Sequence, residues 1–166
     1  MRSRLPWLFV NLLTAILAAL VVWIFQATIS QIVILAVMMP IIAGMGGNAG
    51  TQALAVTVRR LALSEGSPQW AIVAKEMLVG LVNGAVLGIV VGVAGYLLEG
   101  NAMLGWVVLM AMWGNLLIGG FAGGFVPILL ERVGIDPAVA SSIFVTTFTD
   151  LAGFFLLLGL ATALML

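Results

Sequence analysis

No charged residue stands between Arg4 and Arg59. The interval is too long for one membrane-spanning helix, which takes about 20 apolar residues, and it suits two. Polar residues Gln26, Thr28, Ser30 and Gln31 mark the break between them. The scarcity holds along the whole chain. Of 166 residues, 64% are hydrophobic and 7% charged, against roughly 45–50% and 25% for an ordinary soluble domain. A soluble fold of this length cannot hide that much apolar surface. The chain therefore reads as an all-α integral membrane protein, with residues 1–166 as a single domain and the lipid bilayer as its first partner.

The apolar runs define five spans, at about 6–25, 32–58, 68–98, 102–130 and 137–164. A cleaved signal peptide does not suit the first, because the run exceeds a typical signal core and Asn11 and Thr14 interrupt it. Ser67-Pro68 and Asp136-Pro137 place a capping side chain before a proline, a standard helix start. Gly134 stands where the fourth helix ends. The short connections make neighbouring spans antiparallel.

With five spans, Arg2, Arg4, Arg59, Arg60, Lys75 and Arg132 fall on one side, and the other side carries only Glu99. The positive-inside rule then puts the N-terminus in the cytoplasm and the C-terminus outside.

Composition also excludes chemistries. The chain has no Cys and no His, so disulfides, thiolate catalysis, haem ligation and the usual zinc sites are out. A formal net charge of zero gives no field pointing to nucleic acid. No ATP-binding loop is present, so any transport is passive or ion-coupled. None of this suggests an enzyme.

One residue breaks the pattern. Asp150 lies halfway along the fifth span, inside "VTTFTDLAGFF". A lone carboxylate at that depth costs at least ~2.5–3.5 kcal/mol, and such acids usually line an ion or proton path. At helical spacing Ser142, Thr146, Asp150 and Gly153 form a small, polar stripe, while Phe144, Phe148, Leu151 and Phe155 form a bulky one. Hydroxyls and a carboxylate are hard ligands, suited to Mg²⁺, Ca²⁺, Na⁺ or H⁺.

The second span carries "MMPIIAGMGGNAGTQALAV". Pro40 removes a backbone hydrogen bond, and Gly44, Gly46, Gly47 and Gly50 thin the helix beside Asn48, Thr51 and Gln52. This reads as a pore-lining or broken helix, the alternative being close packing through small residues. Spans three and four repeat glycine every four residues, at Gly84, Gly88 and Gly92, at Gly119 and Gly123, and at Gly120 and Gly124, which reads as packing. Asn83 and Asn115 fit either helix–helix hydrogen bonds or pore contacts. The nine Met residues read as gap-fillers.

Together "LPWLFVNLLTA", "MPIIAGMGGNAGTQALAVTVR", "WGNLLIGGFAGGFVP" and "GIDPAVASSIFVTTFTDLAGFF" resemble the transmembrane domain of the MgtE family of Mg²⁺ channels, over nearly the whole chain. The resemblance implies a homodimer with five spans per protomer and one pore on the dimer axis, lined by spans two and five, in a bacterial inner membrane. It implies that Asp150 faces its symmetry mate and holds a hydrated Mg²⁺, with the backbone carbonyl of Thr146 toward the ion. Gly44, Gly47, Asn48, Thr51, Ser142 and Gly153 are then expected to line the pore. Ser142 stands where some members carry Asn. Full-length members carry cytoplasmic sensor domains before span one, and their absence here is expected to leave the membrane domain alone.

The physics suits Mg²⁺, which dehydrates reluctantly and binds through its waters. The expected function is a Mg²⁺-selective channel domain, with Mn²⁺, Co²⁺ and Ni²⁺ as further candidate ions. The alternatives are a proton- or Na⁺-coupled secondary transporter and a non-transporting assembly subunit.

Overall fold

The computed structural model describes residues 5–63 and 69–166, and all six of its regular elements are α-helices. They are α1 (Leu5–Ile24), α2 (Gln26–Gln31), α3 (Ile34–Ala62), α4 (Gln69–Glu99), α5 (Ala102–Arg132) and α6 (Pro137–Met165). Five are long and apolar enough to cross a membrane. At 1.5 Å per residue, α3 and α6 reach about 43 Å, enough for a hydrocarbon core of about 30 Å even when tilted. The span boundaries read from the sequence agree with these helices to within a few residues. Arg2, Arg4 and the Ser67-Pro68 cap lie outside the described residues.

The polar break after span one is itself helical. The hydroxyl of Ser30 donates to the Ala27 carbonyl at 2.8 Å, and the hydroxyls of Thr28 and Thr162 meet at 2.7 Å. This second contact ties α2 to the far end of α6. Hydroxyls that satisfy themselves locally let a polar segment stay helical at the membrane surface.

The other ends follow capping rules. Gly134 has φ of 76°, open to glycine. The Ile135 amide donates to Leu130 O at 2.9 Å and the Gly134 amide to Glu131 O at 3.1 Å, closing a Schellman motif on α5. The Asp136 side chain then accepts from the Ala138 amide at 2.9 Å and starts α6, with Pro137 in its first turn. Asn101 caps α5 in the same way through the amides of Met103 and Leu104.

Helix α5 is the centre and packs against α3, α4 and α6. Helix α4 lies antiparallel along it through glycine. A Cβ at Gly84 would come within 3.0 Å of Trp113 O, at Gly88 within 2.9 Å of Leu109 O, and at Gly92 within 2.7 Å of Gly105 O. In lipid no hydrophobic force drives helices together, so this close van der Waals fit holds the pair. The Trp113 indole N–H adds a bond to Leu81 O at 3.0 Å. Helix α1 rests on α6 and α2, with Ala18 its buried residue.

Pro40 does not break α3, which is continuous from Ile34 to Ala62. The broken-helix alternative is therefore not realised. Gly46 and Gly50 press α3 directly onto α5 and α6, and this packing overrides the weak helix propensity of the glycines.

Two apolar clusters occupy the two halves of the bundle. One gathers Leu35, Met38 and Ile42 of α3 with Leu104 to Leu116 of α5 and Leu157, Leu158 and Ala161 of α6. The other gathers Ala122, Val126 and Leu130 with Ala140 and Val145. Between them, at mid-depth, lies a layer of glycine and polar residues.

Candidate ion site

Helices α3 and α6 make the layer. They cross antiparallel, with Gly47 against Thr149, Gly50 against Val145 and Gly153 against Ala43. Asp150 therefore stands level with Gly46 and Gly47, near the midpoint of both helices.

On α6, Ser142, Thr146 and Asp150 recur one turn apart. Ser142 is exposed, and Thr146 and Asp150 are half-buried. On α3, Gly44, Asn48 and Thr51 are exposed and Gly47 is half-buried. A Cβ at Gly44 would meet nothing within 4 Å, and one at Gly47 would sit 3.7 Å from the Thr149 hydroxyl. The two open rows are brought together at Gly47 and Thr149.

The hydroxyls along these rows are largely spent on their own helices. Thr51 donates to Gly47 O at 2.7 Å, and Thr146 reaches Ser142 O at 2.9 Å and Ile143 O at 3.0 Å. The Thr146 carbonyl accepts from the Thr149 hydroxyl at 3.0 Å. Those acceptors are occupied, so an ion in the row would meet them through its waters. Asp150 accepts no hydrogen bond from the described residues. Among these residues no three acidic, His or Cys side chains converge, so one protomer does not cage a bare divalent ion.

Gly153 does not belong to the open row. It is buried, and a Cβ there would come within 2.7 Å of the Asn115 side-chain amide. The stripe expected from sequence drifts as it ascends, and Gly153 turns inward to seat Asn115. Asn115 is 0% exposed and donates to Ile42 O at 2.8 Å. Its carboxamide also fills the space over Gly46. It is thus a helix–helix hydrogen bond joining α5 to α3 beneath α6, not a pore contact. Its Oδ1 has no partner among the described residues.

Two features were not read from sequence. Thr149 is buried at the α3–α6 contact, and its spacing of four from both Val145 and Gly153 carried that signal. A cleft of about 670 Å³ opens between α1 and α6, lined by Trp7, Asn11, Ser142 and Thr146 among others. The polar Asn11 in span one was the only hint of it.

The basic residues among those described gather at one end. Gln69 accepts a hydrogen bond from Arg132 Nε at 3.2 Å and another from its Nη2, so the start of α4 and the end of α5 lie side by side. Arg59, Arg60 and Lys75 fall at that same end, and Glu99 at the other.

Five helices long and apolar enough to cross a membrane, with an acid on an open polar row halfway along α6, define a multi-pass membrane protein. The chain belongs to the MgtE family: the family model described as "Divalent cation transporter" matches residues 39–160. Curated relatives agree. "Magnesium transporter MgtE" of Enterococcus faecalis is 38% identical over 165 residues, covering 98% of this chain and 36% of the relative. The protein of the same name from Bacillus subtilis is 35% identical over 162 residues, covering 96% and 36%. That from Thermus thermophilus is 30% identical over 165 residues, covering 98% and 36%. The chain thus spans about 36% of the length of these relatives, all of which are named as transporters and not as enzymes.

Proposed function

We propose that two copies of this chain form a Mg²⁺-selective channel domain that passes hydrated Mg²⁺ into the cytoplasm down its electrochemical gradient. The observation that carries this reading is Asp150, half-buried at mid-depth in a row no basic side chain shares. Facing lipid, that carboxylate would be unfavourable by ~2.5–3.5 kcal/mol or more. A second copy related by a twofold axis sets the same row opposite itself, because such an interface is self-complementary. Two carboxylates then share one wet path. Empty, they repel each other, and a divalent cation between them removes the repulsion.

The row suits Mg²⁺ in particular. Mg²⁺ keeps several waters and takes few protein ligands, and the row offers one carboxylate per copy with its neighbouring carbonyls already occupied. Ser142, Thr146, Gly44, Gly47, Asn48 and Thr51 line the path around the hydrated ion. The membrane potential contributes about 2.3 kcal/mol per charge per 100 mV, and so about twice that for a divalent ion. In this reading the protein sits in the inner membrane, and the positive-inside rule turns its basic end to the cytoplasm and its C-terminus outside. The names of the bacterial relatives support the ion.

Purified protein in liposomes tests this reading. Wild type is expected to take up Mg²⁺ with no counter-ion gradient, and Asp150→Ala to lose uptake while remaining folded. Undiminished uptake by Asp150→Ala removes Asp150 from the path. Uptake that needs a proton or Na⁺ gradient makes the protein a coupled transporter instead.

A further inference from the structure

Asp150 is not the only carboxylate drawn into the bundle. Glu76 of α4 is 7% exposed. It lines a crevice of about 30 Å³ with Gln52 of α3, Asn83 of α4 and the small residues Ala49, Gly80 and Gly120. Glu76, Gly80 and Asn83 follow at helical spacing, so one face of α4 supplies the acid, a gap and an amide. Helix α3 presents Gly47 to α6 and, on its other flank, Gln52 to this crevice. The floor is Gly120 of α5, where any Cβ would collide with the Glu76 carbonyl. The site is thus distinct from the Asp150 row.

Glu76 makes no hydrogen bond or ion pair with the described residues. Arg60 and Lys75 act on it only through space. Its carboxylate oxygens open onto the crevice, and a carboxylate so enclosed with no protein partner is unfavourable unless something binds it. The proposed conduction path does not use it.

We propose that this crevice is a binding site for one small monovalent cation, Na⁺ by its chemistry, held by the Glu76 carboxylate and the side-chain carbonyls of Gln52 and Asn83. Two observations set the ion. The donors are oxygens, which take hard cations. One carboxylate balances one positive charge, and Arg60 and Lys75 nearby oppose a second. Occupancy would fasten α4 to α3, which otherwise barely touch along this flank.

Thermal unfolding of the purified protein in detergent tests the site. Mg²⁺ is removed, and NaCl is titrated against N-methyl-glucamine chloride at constant ionic strength. A ligand that binds only the folded state raises the midpoint as its concentration passes Kd. Wild type is expected to show a saturable Na⁺-specific rise. Glu76→Gln, which keeps the shape and loses the charge, is expected to lose it. Gln52→Ala, on an exposed position, is expected to need more Na⁺ for the same rise. Asp150→Asn is expected to keep the full response, which separates this site from the proposed path. Broadening of the ²³Na resonance by wild type but not by Gln52→Ala reports the same ion should Glu76→Gln fail to fold. No Na⁺-specific rise in wild type, a rise that survives Glu76→Gln, or one lost in Asp150→Asn overturns the proposal.

Discussion

Gly153 and Asn115 occupy one another's space, and that fit can be measured. A methyl group at Gly153 meets the Asn115 side chain at 2.7 Å. Overpacking of this kind costs about 1–3 kcal/mol. Gly153→Ala should therefore destabilise the protein, and Asn115→Ala in the same chain should restore much of the loss, since residues in contact couple. Thermal unfolding of the two single variants and the double variant checks this. Additive losses would mean that the two do not touch. The sequence placed Gly153 beside Asp150 because an ideal helix keeps residues three apart on one face. It could not show that the α3–α6 crossing turns that face inward above Asp150. Asn115 was equally ambiguous, because a buried amide and a pore amide look alike until the neighbouring helix is in place. Asp150 itself was legible, since any acid in the middle of an apolar span stands out whatever packs around it.

Among the helices, the glycines divide into those that pack and those that do not. Gly88 brings α4 onto the Leu109 carbonyl, whereas a Cβ at Gly44 reaches open space. Alanine is intrinsically favoured over glycine within a helix by roughly 0.5–1 kcal/mol. Gly44→Ala should then be neutral or slightly stabilising. Gly88→Ala should lose about 1–3 kcal/mol, because backbone atoms cannot yield as a side-chain tip can. Unfolding midpoints of the two variants, compared with wild type, test the distinction. Equal effects would remove the case for glycine-mediated packing of α4 on α5. Element ends were legible for a local reason: Gly134, Asp136 and Pro137 act within a few residues of themselves. The α2 turn was not legible, because the Thr28–Thr162 bond that tethers it joins residues 134 positions apart.

At the scale of the whole molecule, the charge pattern and the open row make linked predictions. The chain has no native cysteine, so single cysteines report without background. One at Leu63, past the end of α3, should react with an impermeant thiol reagent from the cytoplasmic side, and one at Asn101 from the outside only. Labelling of both from the same side would break the five-span topology. Pairing of two copies along the Asp150 row adds a second constraint. Asn48 is exposed on the open row, and Val90 is 60% exposed on the far helix α4. If the row is where the copies meet, a short bis-maleimide should link Asn48→Cys chains into dimers in native membranes. It should leave Val90→Cys chains monomeric, because α4 then faces lipid. Linking at Val90 but not at Asn48 would place the interface on α4 and leave Asp150 facing lipid. A lone carboxylate is too unfavourable there, so the path would then have to lie within one protomer.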